Sequence, residues 1–210
     1  MSDLSVQHWT GVFGIAFVTL NLIVIPLYFI YSGPPPVRNV LTRIFINMFA
    51  LAGLIAFLVG FRHSILQARF DSEWLGTLCL AFGLVHATLT LVADSLQAGS
   101  VLGKTGHIDP TLVGSGAERT MILYGPMSRL LGAAFLFSAG SAILTTEVLP
   151  AWIGWFAFIV GIIQLVFVPT IFSTTDPARF YSVNGWGIPV VGGLYLLWIL
   201  ATGVFLILLY

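Results

Sequence analysis

Six stretches of this sequence run for seventeen or more residues without a single Asp, Glu, Lys or Arg, and nothing else constrains the fold as strongly. They cover residues 4–37, 44–61, 74–93, 130–146, 148–175 and 180–210. An α-helix needs about 20 residues to cross about 30 Å of hydrocarbon, and each stretch holds a run rich in Leu, Ile, Val, Phe, Ala and Gly. The pattern predicts an all-α, polytopic membrane protein: one transmembrane domain over residues 1–210, built as a bundle of six helices. Trimmed at polar and turn residues, the helices are expected at Thr10–Tyr31, Leu41–Arg62, Trp74–Leu96, Tyr124–Thr146, Pro150–Phe172 and Gly187–Leu209.

Composition excludes the main alternatives. Only 8% of residues are charged, against about 25% in ordinary soluble domains. Eight Lys+Arg balance eight Asp+Glu, so nucleic acid is not an expected partner, because phosphate-driven affinity needs clustered excess cations. A single cysteine, Cys79, inside an apolar stretch permits neither an intrachain disulfide nor a Cys-based zinc site. The first span lacks the basic N-region and small-residue cleavage site of a signal peptide and carries Asp3, so it is expected to remain as helix one.

The linkers carry turn chemistry. Gly33-Pro34-Pro35-Pro36 is expected to stop helix one, and Asp109-Pro110 and Asp176-Pro177 to start short interfacial turns. The longest connection, about Gln97 to Glu118, is rich in Gly, Ser and Thr and offers no soluble core. Six spans put both termini on one side. Arg62 and Arg69 fall on that side, and Arg38, Arg43, Lys104, Arg119 and Arg179 on the other. By the positive-inside rule the five-to-two bias makes the loops after helices one, three and five cytoplasmic and the termini extracytoplasmic. Trp9, Trp74, Trp152 and Trp155 form one aromatic belt, and Tyr31, Tyr124 and Trp186 the other.

Polar groups inside spans mark where chemistry can enter, since an ion at a helix centre costs roughly 2.5–3.5 kcal/mol on insertion scales. Helix three carries the densest set. At 100° per residue, Cys79, Gly83, His86, Thr90, Asp94 and Gln97 fall within about 80° of one another, so this stripe should face protein or water. Arg129 is the lone cation of helix four, on the same side as Asp94, and the two are predicted to pair. Gly125-Pro126 should bend or begin that helix, and Ser128, Gly132, Ala134, Ser138 and Ala142 give it a small surface for close packing.

His86 is open to three readings: a hydrogen-bonded core histidine, a proton-relay or catalytic group, or a haem ligand. Bis-histidine haem needs a second histidine at matching depth, and His8, His63 and His107 do not supply one. No cofactor and no metal are therefore expected. Asn21, Asn47 and Gln164 are uncharged hydrogen-bonding groups in helices one, two and five, each either interhelical glue or part of a central polar pocket. Pro26 and Pro169 also lie inside spans, as tolerated kinks or as breaks lining a cavity. Phosphate-cradling glycines, Gly-x-Ser-x-Gly, His-Glu-x-x-His, carboxylate clusters, Arg-rich voltage sensors and potassium-selectivity sequences are all missing, which weighs against ATP-driven, metal-hydrolytic and channel functions.

Leu149-Pro150-Ala151-Trp152-Ile153-Gly154-Trp155, following a helix with Arg129 and small residues, resembles the Leu-Pro-x-Trp-x-Gly-Trp/Leu start of a late helix in multi-helix bacterial integral membrane proteins without assigned activity. The resemblance implies a bacterial cytoplasmic membrane and no catalytic residue. Three functions compete. The first is a bundle binding or transporting a small molecule through a pocket of Asn47, His86, Thr90, Asp94, Arg129 and Gln164. The second is an accessory or scaffold subunit, with other membrane proteins or copies of itself as partners, suited by short loops and small-residue faces. The third is an intramembrane enzyme on a lipid or isoprenoid, with His86 or Asp94 as general acid or base.

Overall fold

A computed structural model describes residues 3–31, 35–102, 120–176 and 178–209. It is all-α among these residues, with six helices long and apolar enough to cross a membrane. They are α1 (Asp3–Leu27), α2 (Val37–Ala68), α3 (Glu73–Val101), α4 (Ser128–Thr146), α5 (Ala151–Val166) and α6 (Gly187–Leu208). The chain is a polytopic membrane protein, with a lipid bilayer as its surroundings.

Helix ends depart from the apolar runs for physical reasons. α2 has 32 residues, about 48 Å at 1.5 Å per residue, well beyond the hydrocarbon thickness. Charged residues at 38, 43 and 62 mark the edge of the apolar run, and backbone hydrogen bonding simply continues through them because no Pro intervenes before Ala68. α3 likewise runs on to Val101 rather than Leu96. α1 begins at Asp3 instead of Thr10, and Thr10 already returns its hydroxyl to the Val6 carbonyl at 2.8 Å, a bond within an established helix. It also ends early, at Leu27, before the proline run. Pro26 lies in its last turn, and the chain leaves through Tyr28 N–H to Ile25 O (3.1 Å) and Phe29 N–H to Pro26 O (2.9 Å).

Spans four and five are interrupted. Span four, Thr120–Thr146, contains a π turn at Leu123–Met127 holding Gly125 and Pro126 before α4 proper. Span five, Ala151–Phe172, leaves α geometry at Val166 and closes as a tighter 3-10 turn, Val168–Phe172, around Pro169, which has no N–H to continue the ladder. The expected Asp109-Pro110 turn, with Lys104 and His107, lies outside the described residues. At Asp176 the carboxylate accepts the Ala178 N–H at 3.0 Å and pairs with Arg179 at 3.5 Å, so the predicted capping role is seen there.

Each helix packs on its neighbours in the chain, and α6 returns to α1, giving a closed ring of antiparallel helices. Closure depends on glycine: a Cβ at Gly203 would stand 3.0 Å from the Gly11 carbonyl oxygen. α4 and α5 approach in the same way, a Cβ at Gly140 falling 2.8 Å from Gly154 O. The ring has no open lumen. Phe57 and Phe61 of α2, Phe135 of α4 and Trp198 of α6 are completely buried, and side chains from alternate helices of a ring can meet only at its axis. Phe57 and Phe61 stack at 5.7 Å, and Trp198 sets its edge against Phe61 (6.2 Å) and Phe135 (5.6 Å). Its indole N–H donates to Ile153 O at 3.0 Å, satisfying the one polar atom in the plug.

The outer surface is apolar. Trp152 and Trp155 are 49% and 61% exposed and face outward from the start of α5. Glu147, in the left-handed region at φ 55°, ends α4 just before them.

Candidate functional site

The polar face of α3 meets the beginning of span four. Tyr124, Ser128 and Arg129 fall within six residues, and each binds a different partner group.

At the first, Asp94 is 4% exposed. Asn47 of α2 donates its Nδ2 to Asp94 Oδ2 at 2.6 Å, and the Tyr124 hydroxyl donates to Oδ1. Both carboxylate oxygens therefore accept, which suits the ionised form. Hydrogen bonds to an ionised oxygen are roughly twice as strong as neutral ones, so these two offset part of the cost of placing a carboxylate here. The predicted Asp94–Arg129 ion pair is not formed: no cationic group of the described residues lies within 4 Å of Asp94. The reason is angular. Tyr124 takes the place opposite Asp94, and Arg129, five residues on and beyond the kink at Gly125 (ψ −112°) and Pro126, stands about 140° away at 100° per residue, on another face.

At the second, His86 Nδ1 lies 3.1 Å from Ser128 O and 3.0 Å from Ser128 Oγ. A protonated Nδ1 donates to the carbonyl, and an unprotonated one accepts from the hydroxyl, so Ser128 serves either tautomer. The Tyr195 ring of α6 stands 5.5 Å from the imidazole. Thr90 does not bridge His86 to Asp94. Its hydroxyl bonds to its own helix, at the His86 carbonyl, 3.0 Å away.

At the third, Arg129, 7% exposed, donates Nη1 to Gln164 Oε1 at 3.2 Å and Nη2 to Ile188 O at 3.1 Å, tying α4 to α5 and α6. Asn21 joins none of these groups, since its amide returns to Phe17 O at 2.8 Å. Of the six residues expected to line one pocket, Asn47 and Asp94 are hydrogen-bonded together, His86 and Thr90 follow along α3, and Arg129 and Gln164 form a separate clasp. The bundle axis that a central pocket would occupy is filled by the aromatic plug. Two surface depressions, lined by Ile143–Ala151 with Leu209 and by Phe70–Ala81, lie at the opposite end from Asp94 and touch none of the six.

Sequence reasoning missed Tyr124 and Ser128 as partners, having placed one in an aromatic belt and the other on a packing surface. It placed Arg43 near the start of helix two but used it only as an orientation charge. Arg43 lies inside α2, one turn before Asn47, and is 7% exposed, with its guanidinium carbon 4.0 Å above the centroid of the Tyr28 ring. Arg43 and Asp94 both lie within electrostatic range of Tyr28 and Tyr124. Its burial could have been read from the helix-compatible run Val37–Thr42, which has no breaker to hold the helix start back to residue 41 and so carries α2 past Arg43 on both sides.

Comparison with protein-family models, with curated proteins and with solved structures finds no match for this chain.

Proposed function

We propose that this protein binds a small molecule within the membrane, as part of a binding or transport function, and that Asp94 is the recognising group, held by Asn47 and Tyr124. One observation carries the reading: a carboxylate 4% exposed, inside a membrane span, has two neutral donors and, among the described residues, no cation within 4 Å. A carboxylate offers about four lone-pair positions, of which two are used, so a proton-bearing or cationic group of a ligand has acceptor capacity waiting. Embedded ions of this kind pair or act, and the expected partner, Arg129, is engaged elsewhere. In this reading His86–Ser128 and Arg129–Gln164 position helices around Asp94 instead of touching the ligand. The loop charges put the Asp94 end on the cytoplasmic face, in keeping with a bacterial cytoplasmic membrane.

Native mass spectrometry of protein extracted gently from its own membrane tests this. Wild type should carry a small molecule that Asp94→Asn loses while keeping its helical content. A ligand held equally by a folded Asp94→Asn protein would reject the site. A fixed complex with other membrane subunits and no small ligand would make the chain a structural component instead.

A further inference from the structure

Arg43 is a second buried charge without a partner. Among the described residues it makes no hydrogen bond and no ion pair, although a guanidinium has five donors to place. Its Nε is fully buried and unpartnered, and its only close neighbour interaction is the Tyr28 ring beneath it. That ring is held by construction: Asn39, one turn before Arg43, donates Nδ2 to Leu27 O at 3.1 Å and so fastens the end of α1, where Tyr28 follows, to α2. Stacking of this sort fixes the guanidinium plane and leaves its edge for an oxyanion. Asn39 Oδ1, on the same face of α2, is also buried with no donor.

Asp94 is the natural counter-charge, yet it does not reach Arg43. The two stand more than 4 Å apart, with Asn47 between them, bonded to Asp94 and one turn from Arg43. Neither charge thus has an ion-pair partner within 4 Å among the described residues, and both lie near Tyr28 and Tyr124. A lone anion would answer Arg43 and leave Asp94 unanswered. A lone cation would do the reverse.

We infer that the ligand is zwitterionic, its anionic phosphate or carboxylate oxygens on the Arg43 guanidinium and its ammonium on the Asp94 carboxylate. The inference rests on the reading of Asp94 as the ligand site and extends it to Arg43. A guanidinium meets such an oxyanion through two parallel hydrogen bonds, stronger than neutral ones. The same chemistry is found in an aminophospholipid headgroup and in a free amino acid.

The test uses the full-length protein in detergent and four probes: glycerophosphoethanolamine and glycine as zwitterions, glycerol 3-phosphate as anion alone, ethanolamine as cation alone. Calorimetric titration should show at least one zwitterion binding about ten-fold or more tighter than both single-charge probes. Arg43→Gln should bring that zwitterion down to the affinity of ethanolamine, and Arg43→Lys should restore part of the loss. In nanodiscs of mixed phosphatidylethanolamine and phosphatidylglycerol, retention of the first in an Arg43-dependent manner marks a membrane lipid as the source. Binding of soluble zwitterion without such retention marks a free metabolite. Ethanolamine binding wild type as tightly as the zwitterions overturns the inference and leaves the Asp94 site standing. Failure of all four probes, together with a retained ligand indifferent to Asp94→Asn, overturns both. The probe comparison on wild type needs no variant, so a misfolded Arg43→Gln protein does not shield the proposal.

Discussion

Asp94 is held by Tyr124 and not by Arg129, and a pair of double-mutant cycles measures the difference. Hydrogen bonds between membrane helices average about 0.6 kcal/mol in such cycles, with a ceiling near 1.7 kcal/mol. A bond to an ionised oxygen is roughly twice as strong as a neutral one, which puts Tyr124–Asp94 at about 1.2 kcal/mol of coupling. The structure gives no bond between Asp94 and Arg129, so their coupling should fall below about 0.5 kcal/mol, the usual scatter for residues without a shared contact. The variants are Tyr124→Phe, Arg129→Gln, Asp94→Asn and the two double mutants, unfolded reversibly in mixed micelles and followed by tryptophan fluorescence and circular dichroism. Asp94→Asn keeps the shape of the side chain, and Tyr124→Phe removes one oxygen and little volume, so each single change removes the interaction without opening a large cavity. Additive effects for Tyr124 and Asp94, with coupling above 1 kcal/mol for Arg129 and Asp94, would mean that Arg129, and not Tyr124, is the residue of span four that faces Asp94.

Three further outcomes are expected. Gly140→Ala should destabilise by about 1–3 kcal/mol in the same unfolding assay, because its Cβ would meet the Gly154 carbonyl oxygen at 2.8 Å and the α4–α5 backbones must part; an unchanged midpoint would mean that the helices are not in contact there. Glu147→Gly should stabilise by about 1 kcal/mol, since a β-carbon at φ 55° is strained and glycine is not; loss of stability would place Glu147 outside the left-handed region. In a Cys79→Ala background, single cysteines at Arg179 and Phe70 should react with an impermeant thiol reagent from opposite sides of the membrane, Arg179 only in inverted vesicles; the reverse pattern would put the Asp94 end outside.

The six spans were legible because charge-free length is a direct reading of bilayer thickness, and no tertiary contact can override it. The polar stripe of α3 was legible for a similar reason, since a rigid helix fixes the angle between His86 and Asp94. What the stripe meets was not. Pairing Asp94 with Arg129 used depth alone, since both lie toward the same end of their spans, and depth does not say which face of a helix turns toward a neighbour. With Tyr124 opposite Asp94, Arg129 stands about 140° away at 100° per residue, on another face. Arg43 was missed for another reason. Placed near the expected start of helix two at Leu41, it reads as an edge cation free to reach the interface, whereas helix hydrogen bonding ignores composition and carried α2 four residues further, to Val37.

Helical spacing explains how a short segment can serve three helices at once. At 100° per residue Ser128 stands about 40° from Tyr124 and Arg129 about 140°. Tyr124 and Ser128 therefore face α3, at Asp94 and His86, while Arg129 reaches Gln164 of α5 and the Ile188 carbonyl at the start of α6. The kink at Gly125-Pro126 lies between Tyr124 and the other two. That couples the geometry around Asp94 to the packing of α5 and α6, on the far side of span four. Replacing Pro126 by Ala, which restores the missing N–H, should therefore disturb ligand retention at Asp94 and the α4–α5–α6 clasp together, although Pro126 touches neither set of hydrogen bonds.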